Sequence, residues 1–104
     1  MREERHYYVY IITNEWNTTL YIGVTNNLLR RIQEHKNGVN ESFSKRYHLT
    51  KLVYFEEGGD ISGAIAREKQ LKRWHRDWKM NLIRQQNPTF RDLSAGMFGE
   101  GFFK

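Results

Sequence analysis

Two runs of β-forming residues, "YYVYIIT" at 7–13 and "LYIGV" at 20–24, stand so close together that an antiparallel hairpin is the economical way to join them. The polar stretch "NEWNT" at 14–18 supplies the turn. This hairpin fixes the start of a sheet, and the rest of the chain must cover it.

The next segments are built to do so. "TNN" at 25–27 offers N-cap residues, and "LLRRIQEHK" then carries helix formers with Leu28, Leu29 and Ile32 on one side. Gly38 is a plausible stop for that helix. Residues 39–50 show no clean period and read as a loop holding basic groups, among them Arg46. "KLVYFEE" at 51–57 reads as a third strand, stopped by Gly58-Gly59. Asp60 or Ser62 can cap a long helix over about 61–74, with Ile61, Ala64, Ile65 and Leu71 as its apolar stripe. Residues 75–86 continue or restart the helix and end before Asn87-Pro88, because the residue ahead of proline disfavours helix. The expected fold is α+β: a small three-stranded antiparallel sheet flanked by helices, as one domain over 1–93. Residues 94–104, with Phe98, Phe102 and Phe103, read as a flexible tail or a docking element.

Composition narrows the chemistry. With no cysteine among 104 residues, a disulfide framework, a thiolate zinc site and a cysteine nucleophile are all excluded. The N-terminus lacks a long hydrophobic region and no apolar stretch approaches spanning length, so a soluble, cytoplasmic protein without a membrane partner is expected. Formal net charge is +5. Its distribution says more than its size: between Arg67 and Lys79 there are six Lys/Arg, Lys72 among them, against two acids, and a second cluster holds Arg30, Arg31 and Lys36. Basic residues grouped on two helices suggest a footprint for nucleic-acid phosphates.

Glu68 is the most informative single residue. Ala64, Glu68 and Leu71 fall at i, i+4 and i+7, so this carboxylate points with the apolar stripe. It is either ion-paired to Arg67, Lys69 or Lys72 at the stripe's edge, or it is a metal ligand or catalytic group. Arg31 and His35, four apart, share a helical face and can act on one anion, or they form a solvated basic face. Tyr10 and Tyr21 sit on the two hairpin strands, as cross-strand neighbours or as ordinary strand aromatics. No serine triad, P-loop glycine pattern or zinc-histidine pair competes with this set.

The motifs "YVY" at 8–10 and "YIG" at 21–23, an arginine ten residues after Tyr21, a histidine four later, "AIAREKQLKRW" around Glu68 and "NPTFRDL" at 87–93 together resemble the GIY-YIG nuclease superfamily. The likeness is greatest to its small single-domain bacterial members, similar to the N-terminal nuclease domain of excinuclease C. The resemblance implies a divalent-metal-dependent endonuclease that hydrolyses DNA, with RNA a second candidate, and selects by structure in repair or recombination. It also implies Tyr10, Tyr21, Arg31, His35 and Glu68 as catalytic residues, with Glu68 binding one Mg²⁺ or Mn²⁺ and Tyr10 helping to deprotonate water. Gly23 and Asn87 match positions near the substrate; Thr25, Arg30, Arg46 and Lys72 are the further expected substrate contacts. Two positions depart from the family pattern: the glycine of the first motif is replaced by a bulky residue, and Val24 stands where some members carry lysine. A module that keeps the fold and binds nucleic acid without cleaving it is the alternative.

Overall fold

The computed structural model describes residues 6–37 and 46–97. Three strands, β1 (Tyr7–Thr13), β2 (Leu20–Thr25) and β3 (Lys51–Gly58), form one antiparallel sheet in the order β2-β1-β3. Helix α1 (Leu28–Asn37) connects β2 to β3, so the chain crosses β1 to reach the far edge. Helices α2 (Ile61–Arg73), α3 (Arg76–Gln86) and a short α4 (Ser94–Met97) complete the described chain. Gly38, the tail aromatics Phe98, Phe102 and Phe103, and most of the basic loop lie outside the described residues.

Strand alternation sends two apolar sets to opposite faces of the sheet. Val9, Ile11, Ile22 and Val53 pack against Ala64 and Leu71 of α2 and Ile83 of α3. Tyr10, Ile12 and Leu52 pack against Leu28 and Ile32 of α1. Helices therefore cover both faces, and the site residues divide between them. The β1–β3 register shifts between Ile11 and Ile12. Such a bulge sets two successive residues of one strand against one of its partner, and accordingly the adjacent Val53 and Tyr54 both join the α2 side.

Helix α2 starts where Asp60 accepts a hydrogen bond from Gly63 N at 2.9 Å, a side-chain N-cap. It ends because Trp74 and His75 are extended, and α3 restarts at Arg76. The stripe expected on α2 is narrower than the sequence suggests. Ala64 and Leu71 are buried, whereas Ile61 and Ile65 face solvent.

The outer edge of β3 is covered by side chains rather than by a strand. The Gln86 amide donates to Phe55 O at 2.9 Å and accepts from Phe55 N at 3.1 Å. Asn87 donates to Val53 O, Asp92 accepts from Leu52 N, and Leu93 N donates to Leu52 O. Polar groups that would otherwise invite another chain are thus used internally. The same segment carries the fold past Leu93: Ser94 is fully buried and bonds Asp92, so the packed body continues into α4.

Candidate active site

Adjacent strands and one helix build the site. Tyr10 and Gly23 are register partners across β1 and β2, and Tyr21 lies two residues along β2 on the same face. Helix α1 begins over the end of β2: Thr25 Oγ1 accepts from Asn27 N at 3.1 Å, and Asn27 Oδ1 caps Arg30 N at 3.0 Å. Entering there, α1 lays Arg31 and His35, one turn apart, over Tyr10 and Tyr21.

Tyr10 Oη accepts a hydrogen bond from Arg31 Nε at 3.2 Å and is hydrogen-bonded to His35 Nε2 at 3.0 Å. A phenol has one proton and two acceptor sites, so the Tyr10–His35 bond can run in either direction with the imidazole tautomer. The Tyr21 ring centroid lies 6.5 Å from that of Tyr10 and 5.6 Å from that of His35. Arg31 also donates to Glu34 Oε1 at 3.1 Å. Four of the five expected catalytic residues therefore form one contiguous cluster.

Burial distinguishes its members. Tyr10 and His35 are 1% and 2% exposed, whereas Tyr21 and Arg31 are only half-buried. A group that activates water must reach it; of the two phenols Tyr21 is the more exposed, while the Tyr10 hydroxyl is engaged by Arg31 and His35.

Gly23 lies inside β2 under the Tyr10 phenol. A β-carbon there would stand 2.5 Å from Tyr10 Oη and 2.6 Å from Cζ. Only glycine leaves that space.

Glu68 is carried by α2, across the sheet from α1. Its carboxylate makes an ion pair with Lys72 at 3.1 Å, one of the pairings its sequence context suggests, and keeps 20% of its side-chain surface exposed. A solvent-reachable carboxylate whose partner is a half-exposed lysine suits a hard cation that retains most of its waters, since such an ion displaces the lysine without needing a cage. Among the described residues no three His, Cys, Asp or Glu converge, so none form a three-ligand cage with Glu68.

The remaining expected contacts are scattered. Arg30 is exposed and faces Glu34 at 3.8 Å, and Arg46 is a surface residue over the Tyr47 ring. Thr25 is occupied at the start of α1, its hydroxyl also donating to Asn27 O at 3.3 Å. Asn87 is buried: it donates to Val53 O and Arg91 O and accepts from Arg91 N, so both amide hydrogens are engaged within the fold.

A polar group that the sequence reading misses lies on the α2 side. Arg67 binds Glu56 through two nitrogens, at 2.9 and 3.2 Å, and lies over the Trp74 ring, while Tyr54 donates to Glu56. Burial first, then the hydrogen bond to Glu56 and its charge, push the Tyr54 phenol up to about 12. Its sequence signal is only an acid at the end of a strand and an arginine beside Glu68.

Comparison with known proteins gives the family and the fold. The GIY-YIG catalytic domain model matches residues 6–81. The UPF0213 protein of Syntrophus aciditrophicus is 40% identical over 82 residues, covering 78% of this chain and 92% of that protein. The UPF0213 protein of Clostridium perfringens is 40% identical over 76 residues, covering 73% of this chain and 81% of that one. The solution NMR structure of a Bacillus halodurans UPF0213 protein has the same fold, with a TM-score of 0.55 at 22% identity, covering 86% of this chain and 95% of that one. No helix among the described residues is long and apolar enough to cross a membrane. The chain belongs to the GIY-YIG catalytic domain family, and its relatives there are UPF0213 proteins.

Proposed function

We propose that the protein is a divalent-metal-dependent endonuclease acting on DNA, with RNA a second candidate substrate, and that it selects by structure rather than by base sequence. The observation that carries this reading is the hydrogen-bonded group of Tyr10, Arg31 and His35 with the more exposed Tyr21 beside it. A folded core does not need an arginine and a histidine converging on one buried phenol; phosphodiester hydrolysis uses such groups.

In this reading Arg31 supplies the positive charge that the scissile phosphate and its transition state require. Tyr21, with His35, orients the attacking water and takes up its proton, while Tyr10 fixes Arg31 and His35. The water oxygen bonds to phosphorus as the bond to the 3′ oxygen breaks, leaving a 5′ phosphate and a 3′ hydroxyl. Glu68 would hold a Mg²⁺ or Mn²⁺ ion, which when bound supplies charge stabilisation to the leaving oxygen. β2 is an edge strand, so a nucleic-acid backbone lying along it is open to residues from both faces of the sheet. Branches, flaps or strand junctions, the substrates of repair and recombination, are the structures the protein would select.

The test incubates duplex, flap, branched and single-stranded DNA, and RNA, with Mg²⁺ or Mn²⁺, comparing the wild type with Glu68→Ala and Tyr21→Phe. Nicking that needs the metal and disappears in both variants is expected. Binding without cleavage by the wild type would instead establish a non-catalytic module.

A further inference from the structure

The hairpin end of the sheet carries aromatic rings and cations that the proposed chemistry does not use. Trp16, in the β1–β2 turn, is 74% exposed, and Trp78, in the first turn of α3, is 56% exposed. The Trp78 ring and the turn that carries Trp16 are held in place. Trp78 stands edge-on to Trp74 and to His75, with ring centroids 5.7 Å apart in each pair. The turn bearing Trp16 is pinned by Thr13 Oγ1 donating to Thr19 O at 2.7 Å and by Thr18 N donating to Asn14 Oδ1 at 2.8 Å. Arg76 Nη2 donates to Asn17 O at 2.5 Å, tying the hairpin tip to the start of α3. The two tryptophans therefore belong to one end of the molecule, on rigid supports.

The charge around them is mixed with a positive excess. Arg73, Arg76 and Lys79 stand here against the acids Glu15 and Asp77, and none of the three cations is ion-paired among the described residues. Partial burial pushes the Lys79 ammonium down, and the charge of Arg76 adds to that, so these two cations crowd each other. An arriving polyanion relieves that crowding. The surface also adjoins the candidate site: Lys72, paired with Glu68, lies one turn of α2 further toward this end.

We propose that this end of the molecule binds an unpaired nucleic-acid strand, its bases stacking on Trp16 and Trp78 and its phosphates meeting Arg73, Arg76 and Lys79. The proposal rests on the nuclease reading and gives its substrate a class, a junction with a single-stranded arm. Stacked bases inside a duplex present no free face to a tryptophan, whereas unpaired bases do. Protein interfaces deplete lysine at their centres and bring apolar side chains together; here rings are interleaved with unpaired cations, the composition of strand-binding grooves.

The experiment titrates the full chain, without divalent metal, with a thymidine oligonucleotide of about twelve residues and with a blunt duplex of the same length, following tryptophan fluorescence. The oligonucleotide should quench the wild type. Trp16→Ala and Trp78→Ala should each weaken its binding roughly tenfold, with Trp78→Phe recovering most of the loss. Duplex binding should change much less. Arg76→Ala should lower the salt slope by about 0.7. Circular dichroism establishes that each variant is folded, which the exposure of both rings favours. Wild-type affinity in both alanine variants overturns the proposal, as does a concentration-dependent dimer in sedimentation that those variants dissolve. The two readings fail separately. A wild type that is quenched and binds as described but never nicks refutes the nuclease and supports the strand surface. Metal-dependent nicking with no contribution from either tryptophan to binding does the reverse.

Discussion

Gly23 faces Tyr10 across β1 and β2 so closely that a β-carbon on the glycine would lie 2.5 Å from the Tyr10 hydroxyl oxygen. The absent side chain is what lets that phenol lie over β2 and reach Arg31 Nε and His35 Nε2 together. Gly23→Ala should displace the ring, breaking both hydrogen bonds, and overpacking should cost about 1–3 kcal/mol of stability. Nicking should fall far more than the thermal midpoint, because Arg31 loses the contact that orients it. Full activity in a folded Gly23→Ala protein would show that the Tyr10 position is not needed for catalysis.

The two tyrosines should separate by their burial. Tyr21→Phe removes a hydroxyl from a half-buried ring beside His35, so turnover should drop about 10²–10⁴-fold with little change in melting. Tyr10→Phe removes the buried hydroxyl that Arg31 and His35 both bond, so it should lower the melting temperature as well as the rate. Thermal melts and single-turnover nicking rates on the same preparations decide the matter. If Tyr10→Phe alone abolishes turnover while melting like the wild type, the assignment of roles is reversed.

These residues show what a sequence can and cannot display. The hairpin, α1, β3 and the Asp60 cap are local patterns, and each appears where its residues suggest. The placement of β3 beside β1 is a choice made by packing, with no signature in any short stretch. Ile61 and Ile65 look like core because they are apolar, but the sheet-facing line of α2 runs through Ala64, Glu68 and Leu71, and Arg67 takes the neighbouring position through Glu56. Spacing paired Arg31 with His35 and Tyr10 with Tyr21, and the family resemblance joined the two pairs; neither could say which phenol is sealed off. The cover on β3 was hidden more completely, since Gln86, Asn87 and Asp92 act on residues 31 to 40 positions away.

Asp92 should govern the acid limb of stability. Burial alone would raise its carboxyl, but hydrogen bonds from Lys36, Ser94 and the Leu52 amide outweigh that and hold it below the usual carboxylate range. A group whose folded-state pKa is lowered stabilises the fold above its unfolded value, near 3.9, and loses that contribution as pH falls through the folded value. Stability should therefore decline below about pH 4. Asp92→Asn should cost about 1.5–3 kcal/mol at neutral pH, from lost charge-assisted hydrogen bonds, and should flatten the decline. Urea unfolding at several pH values measures both effects; an equally steep acid limb in the variant would assign it to other carboxylates.

Tyr54 should govern the alkaline limb. It donates to Glu56, and its phenol is pushed up to about 12 by burial first and then by that acceptor and its charge, with Arg67 opposing. The folded state thus holds the Tyr54 proton more tightly than the unfolded chain, where a phenol titrates near 10. The resulting stability is complete below pH 10 and is lost as pH rises toward 12. Phenolate absorbance should show this tyrosine ionising later than an exposed phenol. Glu56→Gln removes the negative acceptor and should bring it back toward 10, whereas Arg67→Ala removes the opposing cation and should push it higher still. The opposite ordering of the two variants would mean that Arg67, rather than Glu56, sets the field at the phenol.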